Sequence, residues 1–228
     1  MSWSAAPEVA DPAPGAAIPD TESRPAAAAL LFGARLPLAE RFVDALVGPG
    51  VVRGLIGPRE GARIWTRHVL NCAVVAELVP AGAAVVDLGS GAGLPGIVLA
   101  LVRPDLRVTL VEPMARRTEF LTEVVAQLGV SEVKVHRGRA EEHASCAAAS
   151  YDVVIARAVT DLTTLHAWSS PLLRRGGCLL AMKGGRADEE IAAAAAVFRR
   201  DRVMATKHVL GADLLAEPTT VVAVDGYR

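Results

Sequence analysis

Residues 85–96 read Val85-Val86-Asp87-Leu88-Gly89-Ser90-Gly91-Ala92-Gly93-Leu94-Pro95-Gly96. A short apolar run that leads into several glycines predicts a buried strand that turns sharply into a helix. Glycine suits such a turn because its backbone can approach a bound ligand without a Cβ atom in the way. The stretch contains a GxGxG pattern and an overlapping GxGxxG pattern, and the glycines alone leave S-adenosylmethionine and NAD open as ligands.

Two acidic residues near this turn indicate which cofactor it binds. Asp87 lies just before Gly89, at the end of the predicted strand, where it can organise the loop and approach a cationic methionine group. A pyrophosphate at the same place would be repelled by the carboxylate. Glu112 ends the next predicted strand, where a carboxylate can accept hydrogen bonds from both ribose hydroxyls, as it also does in NAD sites. Asp87 therefore favours S-adenosylmethionine, and Glu112 supports a nucleoside cofactor of either kind.

Around this turn, short β-branched runs alternate with helical patterns. The runs predict strands at 85–88, 108–111, 133–135, 153–155 and 178–182, followed by two more at about 202–209 and 219–224. Helices are predicted at 97–102, 116–128, 162–173 and 188–198. Strand and helix alternation predicts a parallel sheet with helices on both faces. The last two strands have no helix between them, so we expect an α/β, class I (Rossmann-like) methyltransferase fold: a seven-stranded, mostly parallel sheet with a C-terminal antiparallel hairpin.

The chain divides into three segments by composition. Residues 1–25 are Pro/Ala-rich and acidic without apolar periodicity, and we expect a disordered tail. Residues 26–79 carry apolar residues at helical spacing, with stops at Gly48-Pro49-Gly50 and Gly57-Pro58, and we expect a small N-terminal helical cap. Residues 80–228 are the predicted S-adenosylmethionine-binding methyltransferase domain.

Bulk composition narrows the class of protein. The 228 residues are 52% hydrophobic but only 4% aromatic, which fits one domain with an aliphatic core. We find no apolar run long enough to span a membrane and no secretory signal, and we expect a cytoplasmic protein. Three widely spaced cysteines indicate neither a disulfide framework nor a metal site. The formal net charge of −1 gives no support to nucleic-acid binding. We expect the protein to be a monomer.

The loop after the fourth strand indicates the chemistry of the methyl acceptor. It reads Ile155-Ala156-Arg157-Ala158-Val159-Thr160-Asp161 and lacks the Asn/Asp-Pro-Pro-Tyr motif of exocyclic-amine methylation. No cysteine follows a proline, so the nucleophile of cytosine C5 methylation is missing too. Arg157 can hold a carboxylate, a phosphate or a guanine edge, or form a structural salt bridge to Glu112 or Glu141. Arg157 and Lys183, which ends the fifth strand, are candidate catalytic residues without an assigned role.

With these residues in view, the chain resembles the RsmG (GidB) family of bacterial 16S rRNA guanine-N7 methyltransferases. The resemblance runs from about Arg59 to the C-terminus, and residues 1–30 are not covered. Its most specific motif is 87–97, where Gly-Leu-Pro-Gly follows the glycine turn. The other matching motifs are Arg67-His68-Val69-Leu70-Asn71, Arg139-Ala140-Glu141-Glu142, Ile155-Ala156-Arg157-Ala158 and Met182-Lys183-Gly184.

The resemblance implies S-adenosyl-L-methionine as methyl donor and a guanine N7 of 16S rRNA (guanine-527 type) as acceptor. Together with the glycine turn and its two acids, it predicts these cofactor-binding residues: Asp87, Gly89, Gly91, Gly93, Leu94, Glu112, Ala140, Glu141 and Arg157. The predicted RNA-binding residues are Arg67, His68, Arg139 and Lys183. The family usually has aspartate where Glu112 stands, and the longer side chain changes the reach of the carboxylate.

Two alternatives stay open at this point. The glycine turn would also serve a non-catalytic NAD- or FAD-binding regulator, and the neutral overall charge allows a small-molecule methyltransferase. If RNA is the substrate, a net charge of −1 provides little phosphate neutralisation for free RNA. We therefore expect the partner to be 16S rRNA or a 30S subunit or its precursor, and the low charge favours the assembled particle over naked rRNA.

Overall fold

The computed structural model describes residues 21–228, which form a seven-stranded sheet covered on both faces. The strands are β1 (Ala84–Leu88), β2 (Arg107–Glu112), β3 (Val133–Arg137), β4 (Tyr151–Arg157), β5 (Leu173–Lys183), β6 (Met204–Leu210) and β7 (Thr219–Asp225). Their order is β3-β2-β1-β4-β5-β7-β6; the first five are parallel, and β7 is antiparallel to both β5 and β6. The fold-class prediction, including the terminal hairpin, is confirmed.

The buried strands alternate their side chains between two separate halves of the core. In β1, Val85 packs with the cap and with helices α4 (Gly96–Val102) and α5 (Ala115–Leu128). Its neighbour Val86 points to the opposite face, where α7 (Leu162–Ser169) and α8 (Ala187–Asp201) lie. Because helices cover both faces, the strands read as continuous apolar runs, which is why the sequence pattern predicts them well.

The remaining helices complete the two layers. They are α1 (Ala26–Phe32), α2 (Leu36–Ala45), α3 (Leu70–Ala73), α6 (Ala140–Ala147), α7 (Leu162–Ser169) and α8 (Ala187–Asp201). In the cap, α1, α2 and α3 are connected by short 3₁₀ and π turns at Gly33–Arg35, Leu46–Gly50, Glu60–Arg63 and Ile64–Val69. A further 3₁₀ turn, Val74–Leu78, follows α3. It has no separate core, since its apolar residues belong to the same buried cluster as one face of the sheet.

Three details differ from the sequence predictions. The helical stop at Gly48-Pro49-Gly50 is wrong: the chain passes through a π turn and stays helical to Val52. A π turn is wider than a regular α-helix, in which a proline ring clashes with the carbonyl four residues earlier. The helix predicted at 162–173 ends at Ser169, and Leu173 already pairs with Tyr151 as the start of β5. Helix α6 has no counterpart among the predicted helices.

The predicted tail, residues 1–25, lies largely outside the described residues, which begin at 21. Glu22 lies against the cap, where its carboxylate accepts hydrogen bonds from the backbone amides of Trp65 at 2.8 Å and Thr66 at 3.0 Å. Arg24 forms an ion pair with Glu40 at 2.8 Å. These contacts attach the last part of the predicted tail to the helical cap.

Residues 21–228 contain neither a membrane-spanning helix nor a cluster of metal-ligating side chains. No helix in this range combines the length and the apolar character needed to cross a bilayer. The same residues contain no group of three or more histidine, cysteine, aspartate or glutamate side chains arranged to hold a metal ion.

Candidate active site

A cleft of about 670 Å³ opens at the carboxyl ends of β1 to β4, between the sheet and the cap. Ligands of open α/β sheets bind at this edge, and the volume falls within the range of small-molecule sites. The turn after β1 forms its base, and the ends of β2 and β4 flank that turn because their strands are the neighbours of β1. The cap contributes Leu55, Ile56 and His68.

The glycine turn presents bare backbone to the cleft. Gly89 has a left-handed φ of 71°, and a Cβ atom there would lie 2.9 Å from Cγ2 of Val159. Any other residue would be strained by its backbone and crowded by this neighbour. Gly91 and Leu94 also line the cleft, whereas Gly93 lies behind the turn against Ile97. Two of the three predicted glycines thus face the ligand space, and the third shapes the turn.

Asp87 lies beneath the turn and does not line the cleft. Its side chain is fully buried, and Oδ2 accepts a hydrogen bond from the backbone amide of Gly96 at 3.0 Å. Ser90 Oγ donates to the backbone carbonyl of Asp87 at 2.9 Å, which tightens the turn. Among the described residues Oδ1 has no hydrogen-bond partner. Burial is the main reason why the pKa of Asp87 rises to about 7. This geometry fits the loop-organising role predicted for Asp87, but not the predicted approach to a cationic methionine group, because the carboxylate does not line the cleft.

Glu112 is buried and lines the cleft beside the turn. Its Oε2 accepts a hydrogen bond from the backbone amide of Gly91, and its Oε1 accepts one from the backbone amide of Met114, both at 3.0 Å. The Arg117 guanidinium is 3.8 Å away. Each carboxylate oxygen has two lone pairs, so both can still accept a hydroxyl. The longer glutamate side chain therefore reaches back to the turn and keeps acceptor capacity for a diol.

The start of α6 forms another side of the cleft. Arg139, Ala140 and Glu141 all line it, as predicted for the loop after β3. The Glu142 carboxylate accepts a hydrogen bond from the backbone amide of Arg139 at 2.9 Å, which caps the helix from its third residue. The helix N-terminus thus faces the cleft with the Glu141 carboxylate at its rim.

Arg157 extends from the end of β4 into the cleft and contacts the cap. Its guanidinium lies 2.7 Å from Nδ1 of His68, and it also donates to the carbonyl of Arg67 and to Sγ of Cys72, each at 3.5 Å. The next residue, Ala158, adopts a left-handed φ of 53°, which is strained for a residue with a side chain. Arg157 therefore hydrogen bonds to a cap histidine, not to either of the carboxylates considered from the sequence.

Two predicted RNA-binding residues lie apart from the residues that line the cleft. The Lys183 ammonium donates to the backbone carbonyl of Thr160 at 2.6 Å and pairs with Glu190, also at 2.6 Å. Its partners are thus a loop carbonyl and a carboxylate of α8. The Arg67 side chain is exposed, with its guanidinium 4.0 Å from Glu217. His68 and Arg139, by contrast, line the cleft.

Comparison with known proteins assigns the chain to a family. A family model described as rRNA small subunit methyltransferase G matches residues 35–213. The chain belongs to this family. A ribosomal RNA small subunit methyltransferase G from Nocardioides sp. is 56% identical over 208 residues, which cover 90% of this chain and 82% of that protein. One from Thermobifida fusca is 54% identical over 200 residues, covering 87% and 83%. The predicted resemblance is confirmed.

Solved structures support the fold of this rRNA small subunit methyltransferase G family member. A methyltransferase from Geobacter sulfurreducens superimposes with a TM-score of 0.53 at 15% identity, covering 83% of this chain and 88% of that one. The P. horikoshii TYW2 structure, solved in complex with MeSAdo, gives a TM-score of 0.55 at 13% identity and covers 69% and 62%. At these identities the likeness concerns the fold alone.

Some residues of the methyltransferase cleft were not singled out from the sequence. Leu55 and Ile56 of the cap and Trp168 of α7 line it, yet each has the apolar character of an ordinary core residue. Glu60 contacts His68 from a neighbouring 3₁₀ turn, and Cys72 lies behind Arg157. No local spacing marks these residues, because their roles depend on how the cap folds onto the sheet.

Proposed function

We propose that this protein transfers a methyl group from S-adenosyl-L-methionine to N7 of a guanine in 16S rRNA, at a position of the guanine-527 type. Membership in the rRNA small subunit methyltransferase G family supports the reaction class and the substrate. The structural observation that carries the proposal is the position of two oppositely charged side chains, one on each side of the glycine turn. Glu112 lies at the end of β2, and Arg157 lies at the end of β4.

The cleft fits the proposed cofactor. The backbone of Gly89 and Gly91 leaves room for a ligand at close approach, and Glu112 is a buried carboxylate with free lone pairs for two ribose hydroxyls. Ala140 and Glu141 at the start of α6 would border the adenine, and Leu94 would close the cleft beside the turn. S-adenosylmethionine supplies an electrophilic methyl group on a sulfonium when it is bound.

The acceptor chemistry places modest demands on the protein. Guanine N7 carries an in-plane lone pair and no proton, so it can attack a methyl group without a general base. The protein has to align the base with the methyl group and exclude water, and alignment of this kind can contribute as much as about 7–11 kcal/mol. Arg157 is the side chain we assign to hold the reacting groups, through guanine O6, which leaves the N7 lone pair free to attack, or through a negative group of the cofactor.

The decisive experiment is chemical cleavage at N7-methylguanine in 16S rRNA from cells with and without the gene. The proposed function predicts one cleavage site that disappears on deletion and returns when the wild-type gene is restored. Restoration with Arg157→Ala should leave most of the site unmethylated, whereas His208→Gln on the distant strand β6 should restore it. An unchanged cleavage pattern after deletion would disprove the rRNA assignment.

Binding experiments separate the proposal from its alternatives. Titration with S-adenosylmethionine and with NAD should show binding of the former only; a non-catalytic regulator would bind NAD. Methylation of purified 30S particles in preference to naked 16S rRNA would support the assembled subunit, or its precursor, as the partner in the cytoplasm. Cofactor binding without methylation of either RNA substrate would favour a small-molecule acceptor.

A further inference from the structure

The Arg157 guanidinium is held by uncharged acceptors. Within the described part of the chain its partners are a histidine ring nitrogen, a backbone carbonyl and a buried thiol. None of these partners is a carboxylate, so they fix the orientation of the guanidinium without cancelling its charge. The shortest of the three contacts, at 2.7 Å, is the one to Nδ1 of His68.

Hydrogen-bond chemistry determines the protonation state of His68. An arginine side chain can only donate, so Nδ1 of His68 must accept and must carry a lone pair. The ring proton of a neutral His68 then lies on Nε2, which is 2.6 Å from Oε2 of Glu60 and donates to it. Glu60 is kept ionised by Arg63, which lies 2.5 Å away and lowers the pKa of Glu60 to about 2. Burial lowers the pKa of His68 as well, which agrees with a neutral ring.

We propose that His68 is a positioning residue: fixed by Glu60 as the Nε2–H tautomer, it holds the Arg157 guanidinium in the cleft and leaves its positive charge free for the ligand. This inference deepens the proposed methyltransferase function and rests on it. The relay crosses from the cap to the sheet, since Glu60 and His68 belong to the cap and Arg157 ends β4. Correct docking of the cap is therefore a condition for a correctly oriented Arg157.

Other residue types at position 68 would fail either to hold the Arg157 guanidinium in place or to leave its positive charge free. A carboxylate at position 68 would pair with Arg157 and neutralise the charge that the ligand needs. A lysine would repel the guanidinium, and an apolar residue would leave it without its shortest contact. A neutral histidine accepts from Arg157 on one side and donates to Glu60 on the other, which defines both the position and the charge of the site.

The resting protein provides the first test, independent of activity. In protein labelled with ¹⁵N-histidine, long-range ¹H–¹⁵N spectra near neutral pH should show His68 as a neutral ring protonated on Nε2. Glu60→Gln should shift the Nε2 resonance, and Arg157→Ala should shift the Nδ1 resonance. A charged ring, or a ring protonated on Nδ1, would overturn the proposal even if the enzyme methylates rRNA.

Two matched variants provide the kinetic test. Asparagine places a carbonyl oxygen near the position of Nδ1, whereas glutamine reaches the position of Nε2 and loses the acceptor for Arg157. His68→Asn should retain most of the single-turnover methylation rate, and His68→Gln should lose about 10- to 150-fold, as expected for removal of a hydrogen bond to a charged group. In an Arg157→Ala background the same His68→Gln change should cost almost nothing more.

The outcomes separate this inference from the proposed function. If the wild type methylates neither 30S particles nor 16S rRNA, the proposed function fails, while the spectra still report on the relay. If the wild type is active but His68→Asn is as slow as His68→Gln, or if the losses in the double variant add up, His68 does not act through Arg157. His208→Gln should leave both the spectra of His68 and the rate unchanged.

Discussion

Asp87 combines complete burial with one carboxylate oxygen that is hydrogen bonded and one that has no partner among residues 21–228. The charged form loses hydration that the single Gly96 amide replaces only in part, which raises its pKa from 3.8 to about 7. Folded protein thus holds the proton more tightly than unfolded protein. The contribution of this group to stability is complete below the unfolded pKa of 3.8 and is lost as the pH rises through about 7.

The Asp87→Asn variant tests this pH dependence. Because asparagine does not titrate, the free energy of unfolding of the wild type minus that of the variant should fall as the pH rises, by on the order of a few kcal/mol between about pH 4 and pH 8. Urea unfolding of both proteins at several pH values measures the difference. A difference that stays constant across this range would show that Asp87 is charged in both states.

Gly96 is required by the close approach of two other side chains. A Cβ atom there would lie 2.3 Å from Cδ2 of Leu110 and 2.7 Å from Oδ2 of Asp87. We expect Gly96→Ala to lower the free energy of unfolding by about 1–3 kcal/mol, the usual cost of overpacking a core. Gly185→Ala is the matched control, since a Cβ there meets no atom within 4 Å, and it should be neutral. Equal unfolding midpoints for the two variants would contradict this account.

Among single residues, sequence reasoning succeeds where the signal is local. The strand, the glycines and the preceding acid follow one another along the chain, so the turn of 85–96 and an acid that organises it could be anticipated. That the Asp87 carboxylate lies beneath the turn and not in the cleft could not. Arg157 and His68 are 89 residues apart and meet only when the cap docks. No periodicity encodes that distance, and a salt bridge to a nearby strand-end carboxylate was an equally reasonable expectation for Arg157.

At the scale of elements, the segment between β4 and α7 is held by a lysine side chain from the end of β5. The Lys183 ammonium at the end of β5 donates to the carbonyl of Thr160 and pairs with Glu190 of α8. Val159, in the same segment, packs over Gly89 at the base of the cleft. Lys183 therefore supports the segment that borders the cleft, a role different from the RNA contact, for example to a phosphate, that the sequence predicts.

Salt dependence distinguishes the two roles of Lys183. Loss of one phosphate contact should reduce the magnitude of the slope of log K against log salt by about 0.7–0.9. Lys183→Met should slow methylation but leave the slope of RNA binding unchanged, because its ammonium already has two partners. Arg139→Met should reduce the slope, since Arg139 is exposed at the rim of the cleft. A reduced slope for Lys183→Met would show instead that Lys183 contacts an RNA phosphate.

The elements themselves were predicted according to how strongly they are patterned. The parallel strands are buried on both faces and stand out as apolar runs. Helix α6 (Ala140–Ala147) was missed because it buries only His143 completely and shows no apolar stripe. The end of α7 was placed too late because Leu172 and Leu173 continue an apolar pattern, although Pro171 favours termination just before them.

At the scale of the whole molecule, the cap and the sheet share one core. Phe42, Leu46 and Ile64 of the cap pack in the same buried cluster as Leu99 of α4 and Leu110 of β2. Arg35 extends this contact at the surface through an ion pair with Glu132 at 2.7 Å. The segmental division at residue 79 therefore describes composition and not two independent folding units.

Cooperative unfolding is the expected consequence. We predict a single urea transition in which the fluorescence of Trp65, buried in the cap, and the far-ultraviolet circular dichroism change together. A variant with Trp3→Phe and Trp168→Phe isolates the signal of Trp65. An early fluorescence transition at constant circular dichroism would mean that the cap unfolds on its own.

Cys72 lies completely buried behind the Arg157 guanidinium, and burial raises the pKa of its thiol to about 11. Such a thiol is protected from alkylating reagents as long as the cap packs against the sheet, so its rate of covalent modification in the native protein measures how often that packing opens. Exposed Cys146 should react first and provides the reference rate for an accessible thiol. A ligand that binds Arg157 should slow the modification of Cys72, which would make this sulfur atom a reporter of how often the packing between cap and sheet opens.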